Sequence, residues 1–95
     1  MIKKRYLKKI REEIEDFDNE KNLRFFIFGS SIKKEKFGDI DIGVTGKVKD
    51  KNIAVLKERF EESTLPFFID IIDFDNVSKN FKNNVFNNKV LWIKR

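Results

Sequence analysis

The sequence of 95 residues contains neither cysteine nor histidine. Disulfide bonds, thiolate nucleophiles and metal sites built from cysteine or histidine are therefore excluded. A metal ion bound by this chain must be held by oxygen atoms, which favours Mg²⁺ and also admits Mn²⁺. A general base must be a carboxylate, a lysine or the single tyrosine, Tyr6.

Long apolar runs are also missing, and the N-terminus lacks the pattern of a signal peptide. We therefore expect a soluble protein of the cytoplasm that does not associate with membranes. The length predicts one domain over residues 1–95, because a second hydrophobic core would need more chain. Eleven phenylalanines supply much of the apolar volume of that domain.

The chain is basic, with 21 lysines and arginines against 16 acidic residues and a net charge of +5. This excess suits an anionic partner such as a nucleotide, RNA or an acidic protein surface. Both signs of charge are interspersed along most of the chain, so solvated lysines explain the excess equally well. A nucleic-acid-binding domain is not favoured, because no RNP-like, KH or helix-turn-helix signature is present.

Apolar residues recur at helical spacing in some segments and form short runs in others. Ile2, Tyr6 and Ile10 begin a stripe with a period of four residues, which predicts a first helix over 2–19. Further helices are expected over 52–63 and after a cap at Asp75 or Ser78, and strands over 23–28, 40–45, 67–74 and 90–93. The order α-β-β-α-β-α-β predicts an α/β (α+β) fold, a small mixed sheet with helices packed on one face.

Acidic side chains alternate with apolar ones in two of the predicted strands. Because successive side chains of a strand point to opposite faces, Asp39 and Asp41 share one face with Gly43, which is expected to leave room for a ligand. In the later strand Asp70 lies opposite the apolar face, and it is the acid expected to join them. Asp73 belongs to the other face and lies near the strand end, which makes it the weaker candidate.

Clustering carboxylates in this way is costly unless cations neutralise them. Two Mg²⁺ ions, which lie ~3.5–4 Å apart in such sites, would bridge the cluster, and we expect Asp39 and Asp41 to ligate both. Asp70 is expected to complete the ion that activates a hydroxyl group and to accept its proton. These residues are the predicted metal-binding and catalytic residues.

A phosphate-binding turn is predicted at the end of the first strand. Gly29 lacks a Cβ atom, so backbone N–H groups there can approach the phosphate oxygens closely. Ser30 can donate its hydroxyl to the same phosphates, and Ser31 is a weaker substitute. The loop that follows carries lysines that either screen the phosphates or stand in solvent, namely Lys33, Lys34 and Lys36.

A Gly-Ser at a strand end, an Asp-x-Asp on the next strand and a third Asp on a later strand form one combined motif. In this motif the chain resembles the minimal nucleotidyltransferases (MNT) of the DNA polymerase beta superfamily, through Gly29, Ser30, Asp39, Asp41 and Asp70. Residues 67–85 also resemble the family's closing strand and helix, so the resemblance covers nearly the whole chain. The spacer between the serine and the first aspartate holds eight residues, fewer than in the commonest family pattern.

The resemblance implies transfer of a nucleoside monophosphate, usually AMP from ATP, onto a hydroxyl group. Stand-alone members of the family are often paired with a HEPN-domain RNase toxin, and the small enzyme AMPylates a tyrosine of that toxin and so acts as its antitoxin. A HEPN toxin is therefore the expected partner, and both homo- and hetero-oligomers are compatible with this expectation. Independently, the chain is too short for an acceptor-binding domain, so part of the acceptor site is expected from a partner.

A second hypothesis keeps the fold without the catalysis. In it the chain is a nucleotide-binding module or an antitoxin that inhibits its partner by contact alone. The complete set of acids, Asp39, Asp41 and Asp70, favours the enzyme over this alternative.

Overall fold

The helices and strands lie close to the positions that the sequence predicts. The computed structural model describes residues 2–18 and 22–95, so the predicted end of the first helix at residue 19 lies outside the described residues. In chain order the elements are α1 (Lys4–Phe17), β1 (Arg24–Phe28), β2 (Asp39–Thr45), α2 (Asp50–Glu61), β3 (Phe68–Asp73), α3 (Lys79–Phe86) and β4 (Leu91–Lys94). A 3₁₀ turn over Ser30–Ile32 follows β1. The predicted order and the α+β class are confirmed.

The strands form one mixed sheet in the order β3-β2-β1-β4. Strand β1 pairs antiparallel with both β2 and β4, whereas β2 and β3 run parallel. A parallel pair needs a crossover connection, and α2 provides it between β2 and β3. This arrangement places the two strands that carry the predicted acids side by side.

Helices α1 and α2 cover one face of the sheet. The apolar stripe of α1 and the inner side of α2 pack against alternate residues of the strands, as the sequence predicts. The fully buried members of this core are Ile10, Ile14, Phe25, Ile27, Ile40, Ile42, Val44 and Leu56. Burying each large apolar side chain contributes roughly 1.5–3 kcal/mol, so this face forms the main core.

Helix α3 lies on the other face, and the expectation that all helices pack on one face is wrong here. Consecutive aromatic residues of β1 alternate between the two faces, so Phe26 and Phe28 point away from α1 and α2. They pack with Phe74, whose ring centroid lies 4.7 Å from that of Phe26, and with Val77 and Val85. Burying these rings requires a cover of its own, which α3 supplies. Within residues 2–18 and 22–95, every helix is too short or too polar to span a bilayer.

The space beside Gly43 is filled by the second aromatic cluster and leaves no room for a ligand. Gly43 pairs with Phe26 across β1 and β2, and a Cβ atom built on Gly43 would lie 2.3 Å from the Phe26 ring. The expectation of free space beside the acids is therefore wrong at this position. The glycine is needed because the Phe26 ring crosses the neighbouring strand at that point.

The turn between β3 and α3 settles which residue caps the helix. Ser78 is the N-cap of α3, and its hydroxyl accepts a hydrogen bond from the N–H of Phe81 at 3.1 Å. Asp75 instead accepts hydrogen bonds from the N–H groups of Gly46 at 3.0 Å and Lys47 at 2.6 Å. This carboxylate therefore ties the loop after β2 to the end of β3.

An ion pair between Asp18 and Lys94 connects the end of α1 to β4. Asp18 is buried and also accepts the N–H of Leu23 at 2.9 Å. A desolvated charge needs its partners, since removing one of them leaves the other uncompensated. The pair therefore fixes the first helix to the edge strand β4.

We expect Gly43→Ala to destabilise the protein by about 1–3 kcal/mol, the usual cost of forcing extra atoms into a packed core. Urea denaturation followed by circular dichroism measures this change. Gly38→Ala is the matched control, because nothing lies within 4 Å of a Cβ atom at Gly38. Equal stability of the two variants would contradict the packing of Phe26 over Gly43.

Candidate active site

The register of the parallel pair brings the predicted acids together. Asp41 of β2 lies beside Asp70 of β3, and Asp39 lies beside Phe68. The acids Asp39, Asp41 and Asp70 line one open cleft of about 360 Å³. They share it with side chains from α2, the crossover helix. The cleft lies at the starting ends of β2 and β3.

The acids differ in their exposure to solvent. Asp39 is exposed, and the side chain of Asp70 is 59% exposed, so neither points into the hydrophobic interior. Asp41 is half-buried. The cleft therefore offers carboxylate oxygens to solvent from two strands, with Asp41 at its inner end.

The electrostatics of the cleft act mainly on Asp41. Burial is the largest cause that raises the pKa of the Asp41 carboxyl above its ordinary value of 3.8, followed by the negative charges of Asp70 and then Asp39. Each cause disfavours the charged form of Asp41. A bound cation would remove this repulsion, which is why such a cluster suits a cation.

Gly29 stands directly next to the innermost acid. Its backbone has φ 85°, a conformation that residues with a side chain rarely adopt. A Cβ atom at Gly29 would also lie 2.9 Å from Oδ2 of Asp41. The turn therefore requires glycine for two reasons, its positive φ and the closeness of Asp41, and the predicted phosphate-binding turn lies directly beside the acids.

The two serines after Gly29 have different environments. Ser30 begins the 3₁₀ turn and is exposed, so a phosphate oxygen can reach its hydroxyl from solvent. Ser31 is only 1% exposed, and its Oγ has no hydrogen-bond partner among the described residues. Of the two predicted phosphate-binding serines, Ser30 is thus the accessible one.

The cleft also contains residues that the sequence motif did not indicate. Nζ of Lys57 lies 3.7 Å from Oδ1 of Asp70, and Glu61 lies one helical turn further along α2. Phe68 lies at the rim with 81% of its surface exposed. Lys57 and Glu61 directly follow Leu56 and Phe60, the buried residues of α2, and therefore lie at the border of its buried side. This helical position is the sequence feature that could have indicated them.

The donor set of the cleft fits a hard divalent cation, because it offers only oxygen ligands. As the side chains lie, no three acidic groups within residues 2–18 and 22–95 converge on one point where an ion would sit. A cation bound here would compete with Lys57 for Asp70. The fit therefore rests on the donor chemistry and on the burial and the neighbouring negative charges that together raise the pKa of Asp41.

Comparison with known proteins supports the fold. No family model and no curated protein matches the chain. Among solved structures, the chain shares its fold with a structure that contains an MNT antitoxin. One matching structure is tri-AMPylated Shewanella oneidensis HEPN toxin in complex with MNT antitoxin, with a TM-score of 0.63 and 18% sequence identity. The alignment covers 92% of this chain and 71% of that one, so the likeness extends over nearly all of the elements described above.

We expect Asp41→Asn to stabilise the metal-free protein at pH 7 by about 1 kcal/mol or less, because solvent screens a carboxylate that is only half-buried. The pKa of Asp41 is raised, so its charged form destabilises the fold at neutral pH. The gain should shrink as the pH falls through that raised pKa, because protonation then removes the same charge.

Urea denaturation in the presence of EDTA at several pH values measures this effect. Asp39→Asn is the control, since Asp39 is exposed and should give a smaller gain. A loss of stability in Asp41→Asn at pH 7 would contradict the unfavourable environment of the Asp41 carboxylate.

Proposed function

We propose that the protein is a metal-dependent nucleotidyltransferase of the cytoplasm that transfers AMP from ATP onto a hydroxyl group of a partner protein. The observation that carries this proposal is the register of β2 and β3. It sets Asp70 beside Asp41, next to the Gly29 turn. A strand-borne acid cluster beside an accessible glycine-serine turn offers oxygen ligands for divalent cations next to hydrogen-bond donors for phosphates, which metal-assisted nucleotidyl transfer can use.

In the proposed reaction, the acceptor oxygen attacks the α-phosphorus of ATP and a new P–O bond forms. The bond between the α-phosphorus and the bridging oxygen to the β-phosphate breaks, and pyrophosphate leaves with that electron pair. The proton of the acceptor hydroxyl passes to Asp70, which is exposed at the cleft and able to return it to water.

The residues of the cleft divide the remaining work. Asp39, Asp41 and Asp70 would hold two divalent cations, Mg²⁺ or Mn²⁺, which would lower the pKa of the attacking hydroxyl and neutralise charge on the leaving group. The backbone at Gly29 and the hydroxyl of Ser30 would bind the β- and γ-phosphates.

The partner in this proposal is a HEPN toxin, and the acceptor is a tyrosine of that toxin. The matching antitoxin is bound to a HEPN toxin that carries AMP groups, so a protein of this fold is found together with an AMPylated partner. The exposed rim of the cleft at Phe68 leaves the acids accessible to a protein acceptor. Modification of the tyrosine would silence the toxin.

A second candidate is an antitoxin that inhibits its partner by contact alone. Lys57 already holds Asp70 in an ion pair, which supplies a positive charge to the cluster without a metal ion. In that case the acids would act as a structural or binding surface, and nucleotide transfer would be absent.

We expect Mg²⁺ with ATP to stabilise the wild-type protein but not the double variant Asp39→Asn with Asp41→Asn. At ligand concentrations of a hundred times Kd, binding contributes about 2.7 kcal/mol, and each kcal/mol raises Tm by about 4–8 °C in a domain of this size. Differential scanning fluorimetry measures the shift. A double variant Asp16→Asn with Asp50→Asn removes the same charge outside the cleft and should retain the shift. An equal Tm shift in all three proteins would contradict the assignment of Asp39 and Asp41 as ligands of Mg²⁺ with ATP.

We expect the wild-type protein to transfer label from α-labelled ATP to a purified HEPN partner in the presence of Mg²⁺. Asp70→Asn should reduce this transfer by about 100-fold or more, because the loss of a general base commonly costs 10²–10⁴-fold. Phosphorimaging of the partner after electrophoresis measures the product. Toxin neutralisation that persists in the double variant Asp39→Asn with Asp41→Asn, without transfer, would favour the contact-only candidate.

A further inference from the structure

A second cleft opens on the other side of the Gly29 turn. It has a volume of about 200 Å³ and lies between the end of β1 and helix α3. Its lining includes Phe28, Gly29, Phe81, Asn84 and Asn88, together with two lysines, Lys33 and Lys89. Because Gly29 also lies against Asp41, this cleft and the acid cleft are separated by the width of the turn.

Two aromatic rings and two side-chain amides contribute half of the residues that line this cleft. Phe81 is 39% exposed although its ring packs against Phe28 and Phe74, with centroids 6.2 Å and 5.6 Å away. Part of the Phe81 ring therefore remains open above a rigid aromatic base. Asn88 donates its amide N–H to the backbone oxygen of Asn84 at 2.7 Å, so Asn88 is held in place by the helix end.

We infer that this cleft binds the purine base of the nucleotide, with Phe81 stacking on the base and Asn84 hydrogen-bonding its edge. The inference rests on the proposed function and deepens it, because it names the residues that select the nucleotide. It assigns α3 a role beyond covering the second aromatic cluster.

The size and lining of the cleft favour a base over other parts of the nucleotide. Drug-sized ligands occupy pockets of about 300–1,000 Å³, so a cleft of about 200 Å³ suits a single ring system. Aromatic side chains stack on bases of any sequence, and an asparagine amide offers a donor and an acceptor that match the N6 and N7 edge of adenine.

The direction of α3 argues against a phosphate in this cleft. Asn84 and Val85 belong to the last turn of α3, which ends at Phe86. The C-terminal end of a helix carries a partial negative charge, which disfavours an anion and tolerates a neutral base. The phosphates are therefore expected at Ser30, on the side of the turn that faces the acids.

Isothermal titration calorimetry with two ligands, Mg²⁺ with ATP and Mg²⁺ with inorganic tripolyphosphate, tests this inference. Asn84→Ala should weaken ATP binding about 5- to 10-fold, and Phe81→Ala about 5- to 100-fold, as expected for loss of a base contact. Neither variant should change the affinity for tripolyphosphate, because that ligand has no base.

Asn83→Ala is the matched control, since Asn83 is an exposed neighbour on α3 that does not line the cleft. Phe81→Trp keeps an aromatic ring that can stack on the base, so this variant should bind ATP with nearly the wild-type affinity, in contrast to Phe81→Ala. The Asn84→Ala result stands independently of the fold, because Asn84 is exposed and its backbone oxygen still accepts from Asn88.

An equal loss of affinity for both ligands in Asn84→Ala and Phe81→Ala would overturn the inference and place the phosphates in this cleft. Unchanged ATP binding in these variants, with normal ATP binding by the wild type, would overturn the inference alone and leave the proposed function intact. A wild-type protein that binds neither ligand would overturn both.

Discussion

The parallel pairing of β2 with β3 is the constraint on which the candidate site depends. Side chains alternate along a strand, so a slip of one residue would turn Asp70 toward the face covered by α1 and α2. The same slip would turn Ile71 out of the core, where it is buried. Hydrophobic burial therefore holds the acid in place, although the acid itself contributes nothing to the core.

Polar contacts at the far end of the same two strands reinforce this register. The N–H of Phe74 donates to the backbone oxygen of Val44 at 2.9 Å, which continues the pairing past the end of β3. Asp75 then holds the loop that follows β2 through the N–H groups of Gly46 and Lys47. The hydrogen bonds at the carboxyl ends of β2 and β3 thus help to position the acids, which lie at the starting ends of the same strands. The burial and the negative charges that raise the pKa of Asp41 are tolerated because the pairing of the two strands does not depend on that carboxylate.

The sequence predicted the elements, the class of fold and the face of each acid, because these follow from periodicity along a single segment. It did not predict that α3 covers the second face, although the consecutive aromatics at Phe25 and Phe26 require cover on both sides. Contacts between segments were also missed. The filling of the space at Gly43 by Phe26 and the pairing of Lys57 with Asp70 depend on which elements become neighbours. A pattern within one strand or helix does not indicate which other elements pack against it. The sequence motif indicates only the acids and the glycine-serine turn.

The position of β3 at the edge of the sheet has a consequence for solubility. An edge strand exposes backbone groups that can pair with strands from other molecules, and natural proteins protect such strands with charged side chains. Asp70 and Asp73 place negative charge along β3, beside the exposed ring of Phe68. The chemistry proposed for Asp70 and the avoidance of self-association therefore select the same residue type. A chain without the proposed catalysis would therefore still have a reason to keep an acid at this position.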